Sequence, residues 1–254
     1  MYQRSLSPET GDRFLREGLS GLQQTPPDGR LAYVCLSLCG RGLRQLMVLC
    51  DVKKLLSIDI SDNKLTSLYP VRLAANLVYL NASNNQISSA AELSANAKLE
   101  HVDLRRNLIT SLGDWQFNVR LRVLRLGGNK LDSLKCGNLT RNSLLRELDV
   151  SNNAIESLEQ LPYLKCLDTL DISSNSLKSL DGIQQAPLLV VLHAQFAAAE
   201  AFGSLEYAQR RVWESLIPDE PFVDRRLLKL CSKKQSMSCP KKPVEGTLTV
   251  TNQC

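Results

Sequence analysis

An asparagine that returns at a fixed interval, inside a fixed frame of aliphatic residues, constrains this chain more than any other feature. Six stretches align on it: LLSIDISDNKLTSL (55–68), LVYLNASNNQISSA (77–90), LEHVDLRRNLITSL (99–112), LRVLRLGGNKLDSL (121–134), LLRELDVSNNAIESL (144–158) and LDTLDISSNSLKSL (167–180). Their leading residues, Leu55, Leu77, Leu99, Leu121, Leu145 and Leu167, are spaced 22, 22, 22, 24 and 22 apart. Two weaker units flank the six: YVCLSLCGRGLRQL (33–46), with Arg41 at the asparagine position, and LVVLHAQFAAAEAF (189–202), with Ala197 there. A unit this short cannot bury its own apolar set, so neighbours must stack and share one continuous core.

Within each unit, positions 1, 4 and 6 point inward from a short strand and its approach, as in Leu99, Val102 and Leu104, while positions 11 and 14 (Ile109, Leu112) fill the turn behind. Position 9 is Asn63, Asn85, Asn107, Asn129, Asn153 and Asn175, and an amide offers both donors and an acceptor to neighbouring backbone. About a dozen residues remain per unit, too few for a long α-helix and its loops, which predicts 3₁₀ or irregular turns on the outer side. The 24-residue unit has room for a longer outer turn around Lys135–Ser143. The frame resembles the leucine-rich repeat, L-x-x-L-x-L-x-x-N-x-L, in its short form. The resemblance implies an α/β solenoid: a right-handed superhelix with one parallel sheet of about eight short strands and a buried asparagine ladder.

The open ends of such a stack need covers. Residues 1–32 read as an N-terminal cap: Ser7-Pro8-Glu9 suits a helix start, and Phe14, Leu15, Leu19 and Leu22 place an apolar stripe on a helix over 8–22, before the loop 23–30. Repeats follow over 33–203. Residues 204–231 resemble the C-terminal cap of leucine-rich-repeat proteins, with Tyr207, Trp213 over the eighth unit, and Pro218. The basic remainder, 232–254, has little to bury and is expected to be flexible.

Charge divides along the same boundaries. The chain carries +5, but residues 225–254 alone carry +6, so the rest is close to neutral. A nucleic-acid-binding body shows the opposite distribution. No apolar run approaches the roughly 18 residues of a membrane span, and the first residues lack a secretory apolar stretch, so a cytoplasmic or cytoskeletal location is expected. The eight cysteines show no zinc spacing. No phosphate-cradling glycine loop, H-E-x-x-H or G-x-S-x-G occurs, and His101 and His193 fall about four units apart. The sequence therefore predicts neither catalysis nor a metal or cofactor, and points to an interaction protein.

Partner recognition would lie on the inner, concave face. Position 5 reads Ser37, Asp59, Asn81, Asp103, Arg125, Asp149, Asp171 and His193, and position 3 includes Tyr79, His101 and Glu147. Arg105, Arg106, Arg122, Arg125 and Arg146 cluster beside the aspartates. Two readings stand together: arginines poised for a partner's carboxylates, or arginines paired within the surface to Asp103, Asp149 and Glu147. The candidate partner-binding set is Asp59, Tyr79, His101, Asp103, Arg105, Arg125, Asp149 and Asp171.

The flanks are more selective than the repeats. FLREGLSGL (14–22) followed by RLAYVCLSLCGRGLRQLMVLCDVKKLLSIDISDNKLTSL (30–68) is similar to the leucine-rich repeat-containing protein 23 family of radial-spoke components in motile cilia and flagella. Glu17, Gly18, Leu19, Ser20 and Leu22 match its helix ending, and Asp59-Ile60-Ser61 and Asn63 its second unit. The family's long acidic extensions are not matched; the tail here is basic. The resemblance implies a non-enzymatic scaffold within a large axonemal complex, bound to radial-spoke subunits or to tubulin. The alternatives are a phosphatase regulatory subunit of the short-repeat type, or another axonemal or tubulin-associated adaptor.

Overall fold

The computed structural model describes residues 17–25, 30–46, 54–135, 139–196 and 246–251. Six strands of three residues each arise at positions 3–5 of the strong units: β3 (Ser57–Asp59), β4 (Tyr79–Asn81), β5 (His101–Asp103), β6 (Val123–Arg125), β7 (Glu147–Asp149) and β8 (Thr169–Asp171). Longer strands stand on either side: β2 (Arg30–Ser37) and β9 (Val191–Phe196). Together β2 to β9 form eight parallel strands in sequence order, each residue opposite its repeat equivalent, as in Ser57↔Tyr79↔His101. The expected solenoid sheet is thereby met.

The outer side turns in short 3₁₀ segments, Tyr69–Leu73, Ala91–Ala95, Leu139–Arg141 and Ile183–Gln185. Positions 1, 4, 6, 11 and 14 feed one core that runs from Leu36 to Ala194. A further position, 17 (19 in the 24-residue unit), belongs to it as well: Val71, Leu93, Trp115, Leu139, Leu161 and Ile183 are all buried. Trp115 is the largest of them, 1% exposed, and its indole Nε1 donates to the Leu112 carbonyl at 2.6 Å.

The asparagine ladder is built as expected, and each rung joins two coils. Asn107 Nδ2 donates within its own unit to the carbonyls of Leu104 (3.0 Å) and Arg105 (3.2 Å) and to Ala82 (3.0 Å) one coil back, while its Oδ1 accepts from Ile87 N at 3.0 Å. Asn63, Asn85, Asn129, Asn153 and Asn175 repeat the pattern. A second ladder, which the leucine frame does not reveal, runs along the outer side. Asn118 Nδ2 donates to the Leu93 and Asn96 carbonyls (3.0 and 2.9 Å), and Asn142 Nδ2 to those of Trp115 and Asn118 (3.2 and 2.7 Å). Asn96, Asn118 and Asn142 are fully buried or nearly so, and their Oδ1 atoms accept no hydrogen bond.

One expectation is corrected at the N-terminus. The helix expected over 8–22 does not extend past Gly18: Leu19–Thr25 is a strand, β1, antiparallel to β2 with Leu19 opposite Leu36 and Leu22 opposite Tyr33. The physical reason is the sheet's own edge. A parallel stack leaves one side of its first strand with unpaired backbone groups, and β1 satisfies them; a capping helix would not. Gly18 permits the approach, since a Cβ there would collide with the Ser37 carbonyl oxygen. β2 accordingly alternates like a two-sided strand, and Tyr33, aligned with the buried leading leucines, is exposed. At the other end Gly246–Thr251, within the basic remainder, forms β10, antiparallel to β9. The expected helix over 8–16 and the cap residues Tyr207, Trp213 and Pro218 lie outside the described residues.

Two predictions follow from this packing. Trp115→Ala removes the largest core side chain and should cost about 3–5 kcal/mol; Trp115→Leu should cost much less, because leucine fills the same position in neighbouring units. Urea denaturation of the two variants reads the difference, and equal losses would contradict the assignment. Asn107→Ala strands the Ile87 N–H, whereas Asn118→Ala strands no N–H and leaves carbonyls that keep a backbone donor. The first should therefore be the more destabilising by about 1–3 kcal/mol.

Candidate functional site

Because successive strand residues point to opposite faces, position 4 enters the core and positions 3 and 5 stand on the concave face. The strands put Asp59, Tyr79, His101, Asp103, Arg125, Asp149 and Asp171 in two adjoining columns, and Arg105 two residues beyond Asp103 on the same side. The predicted set is thus gathered on one face. Adjacent strands lie about 4.8 Å apart, so Tyr79 and His101 are neighbours: their rings sit 6.4 Å apart, tilted by 41°. Tyr79 is 42% exposed. His101 and His193 stand four strands apart and share nothing. Among the described residues, no group of three or more His, Cys, Asp or Glu side chains could hold a metal ion.

The aspartate column has a local task. Asp59 Oδ1 accepts from Ser61 N (3.0 Å) and Ser61 Oγ (2.6 Å); Asp149 does the same for Ser151, and Asp171 for Ser173. These bonds hold position 7 while position 8 turns through the left-handed region, as at Asp62 (φ 55°), Asn152 (φ 52°) and Ser174 (φ 53°). A carboxylate is not required for this. Asn81 Oδ1 accepts the same pair from Ser83, at 3.2 and 2.8 Å. Gly127, at position 7 of the fourth unit, leaves room for the carboxylate of the next: a Cβ on it would meet Asp149 Oδ1 at 2.8 Å.

Arginines pair within the surface. Arg105 turns back on its own strand and holds Asp103 through Nε and a terminal nitrogen, at 3.0 and 2.6 Å to Oδ2. Arg125 reaches across to Glu147 at 2.6 and 3.2 Å, and Arg122 to Glu100 at 3.2 Å. Of the expected acceptors, Asp103 and Glu147 are taken and Asp149 is not. The hydrogen bonds to Asp103 and to Glu147 raise the proton affinity of Arg105 and Arg125 above the ordinary guanidinium value. Arg106 and Arg146 are exposed.

Asp149 differs from its neighbours in energetics. Burial pushes its carboxyl above the ordinary aspartate range, against the opposing pull of the Ser151 hydroxyl and backbone N–H; repulsion from Asp171 adds to the rise and Arg105 offsets part of it. Its charge is held at a cost.

The repeat is matched by family models. One described as leucine rich repeat covers residues 97–155 and 119–177, and one described as leucine rich repeats in two copies covers 75–118. No curated protein shows significant sequence similarity to the chain. Among solved structures, an internalin of Listeria monocytogenes superposes with a TM-score of 0.58 at 24% identity, over 63% of this chain and 46% of its own. A leucine-rich-repeat protein of Leptospira interrogans gives 0.58 at 24%, over 72% and 47%. The leucine-rich-repeat domain of APL1B gives 0.52 at 18%, over 64% and 56%. The chain thus spans about half the length of these structures, and the likeness is one of fold.

Asp149→Asn should stabilise the protein at neutral pH. Between the ordinary aspartate pKa and the raised folded value, the native state holds the proton more tightly than the unfolded chain. Stability therefore falls as pH rises through that window, and the loss is complete above it. Asparagine keeps the acceptor, as Asn81 shows, and removes the charge. Melting curves from pH 3 to pH 8 should coincide for variant and parent at the acidic end and separate in the variant's favour above it; a parent more stable at pH 7 would refute the account.

Proposed function

We propose that this chain, a leucine-rich-repeat solenoid, is a non-enzymatic scaffold of the radial spoke in motile cilia and flagella, docking spoke subunits on its concave face. Leucine-rich repeats imply protein interaction, and the observation that carries the reading is the face itself. Eight parallel strands present two columns of outward side chains, and their charges are placed residue by residue: carboxylates at Asp59, Asp149 and Asp171, ion pairs at Arg105 and Arg125. Such placement discriminates partners by electrostatic match. Exposed ion pairs add only about 0–1 kcal/mol each to stability, so the fold does not depend on that pattern.

The axonemal location is supported by the flanking resemblance. Its selective residues, Glu17 to Leu22 and Asp59 to Asn63, fall on the turn of helix before β1 with β1 itself, and on β3 with the turn that follows; β1 and β3 lie on either side of β2. The resemblance therefore follows one structural block, the N-terminal closure of the sheet. A basic tail on the same chain suits a second contact with an acidic neighbour such as a spoke subunit or a tubulin surface, and tethering raises the local concentration for that contact.

A tagged copy expressed in a flagellated cell tests the assignment. The protein should stay with detergent-extracted axonemes, and Arg125→Glu, which opposes Glu147, should reduce retention while melting within a few degrees of the parent. Extraction of the parent with the soluble cytoplasm would overturn the spoke reading.

A further inference from the structure

The position-5 column contains a comparison between units that bears on what binds there. Asn81 and Asp149 make the same two hydrogen bonds to a serine two residues on. The turn needs an acceptor and is indifferent to charge. Yet β7 and β8 carry carboxylates at Asp149 and Asp171, directly opposite each other in the parallel register. Neither nearby arginine forms an ion pair with them: Arg125 holds Glu147 and Arg105 holds Asp103. This half of the face therefore holds two negative charges that the fold does not use. The other half is different in kind. Tyr79, exposed, and His101, half-buried, form a ring pair on β4 and β5, with Ser57 and Asn81 beside them.

We propose that the concave face takes an extended basic segment of a partner protein, with two Lys or Arg side chains over Asp149 and Asp171 and one aliphatic or aromatic side chain on Tyr79 and His101. The spacing follows from strand geometry. From β4 to β7 is three strand steps, about 14 Å, which an extended chain crosses in about four residues at roughly 3.3 Å each. A second cation two residues further on points to the same side and reaches the next strand. The segment is then apolar, four residues to the first cation, six to the second, all three on one face of the peptide; either chain direction fits. Opposite charge across the interface supplies recognition and speeds association, while the ring pair supplies desolvated contact and a cation–π surface at its margin.

This inference rests on the reading of the concave face as the docking face, and it is tested without cells, so its failure leaves the axonemal assignment standing or falling on extraction alone. Random nine-residue peptides displayed on phage are selected on the full chain and on Asp149→Asn/Asp171→Asn, a pair of changes that keeps both turn acceptors. Peptides enriched on the parent should carry paired basic residues two apart with an apolar residue four before or after. One of them, synthesised and measured by fluorescence anisotropy, should bind the double variant at least about tenfold more weakly, weaken as salt screens the pair, and lose affinity again on Tyr79→Ser. Enrichment of acidic or uncharged peptides, equal binding to parent and double variant, or no enrichment on the parent would each overturn it.

Discussion

The side-chain amide at position 9, in the six coils that carry it, holds this solenoid in register. Three-residue strands supply few ladder bonds, and the turn that leaves each strand exposes carbonyls and N–H groups to a dry interior, where an unpaired group is costly. The position-9 asparagine meets both needs. Its Nδ2 serves carbonyls in its own coil and in the coil before, and its Oδ1 takes an N–H from that preceding coil. For Asn85 these contacts span 25 and 20 residues, to Ile60 and Leu65. The repeat length is thereby fixed from the inside. Where the chain is two residues longer, the same contacts from Asn153 span 27 and 22 residues, to Leu126 and Leu131, so the extra residues are accommodated beyond Leu131, on the outer side. The amide tolerates insertion only where it makes no contact.

With the core and the ladder committed, the concave column is where the chain is free to vary. Position 5 is neutral at Asn81, anionic with a hydroxyl partner at Asp59, Asp149 and Asp171, anionic with a guanidinium partner at Asp103, and cationic at Arg125. All of these share the same backbone register. The turn accepts each, since Ser151 or Ser173 needs only an oxygen and Gly127 needs nothing. Charge along the column is then set by something other than folding, and at Asp149 it is set against folding.

Periodicity made the interior legible. The ladder, the leading leucines and positions 4, 6, 11 and 14 could be read because six copies reinforced one frame, and the eight-stranded parallel sheet followed from them. Position 17 obeys the same period but lies outside the familiar frame, so Trp115 and its aliphatic equivalents were not distinguished from outer-turn residues. The second ladder was readable too, since Asn96, Asn118 and Asn142 keep the intervals of their leucines; half of the units carry Ala74, Leu164 or Ala186 there instead, which dilutes the signal. β1 was not readable. An apolar stripe at Leu19 and Leu22 suits a helix, and what turns it into a strand is an unpaired sheet edge that exists only after the stack has formed. The candidate site was legible as a set of residues and not as a set of bonds: spacing offered the arginines Asp103, Asp149 and Glu147, and only side-chain geometry assigns Arg105 to Asp103 and Arg125 to Glu147.

What remains for recognition can be counted from the constraints. In each of the six asparagine-bearing coils positions 1, 4, 6, 11 and 14 are apolar and buried, position 8 turns through the left-handed region and position 9 is the ladder. The outward side chains at positions 3 and 5 are the ones left without such a duty, apart from the acceptor that position 5 lends. Eight coils therefore write a two-column array on the concave face: rings at Tyr79 and His101, an ion pair at Arg125 and Glu147, and carboxylates without an arginine partner at Asp149 and Asp171. The array runs along the stack and so crosses the strands. A ligand that reads it must cross the strands as well, and an extended segment spans three strand steps in about four residues.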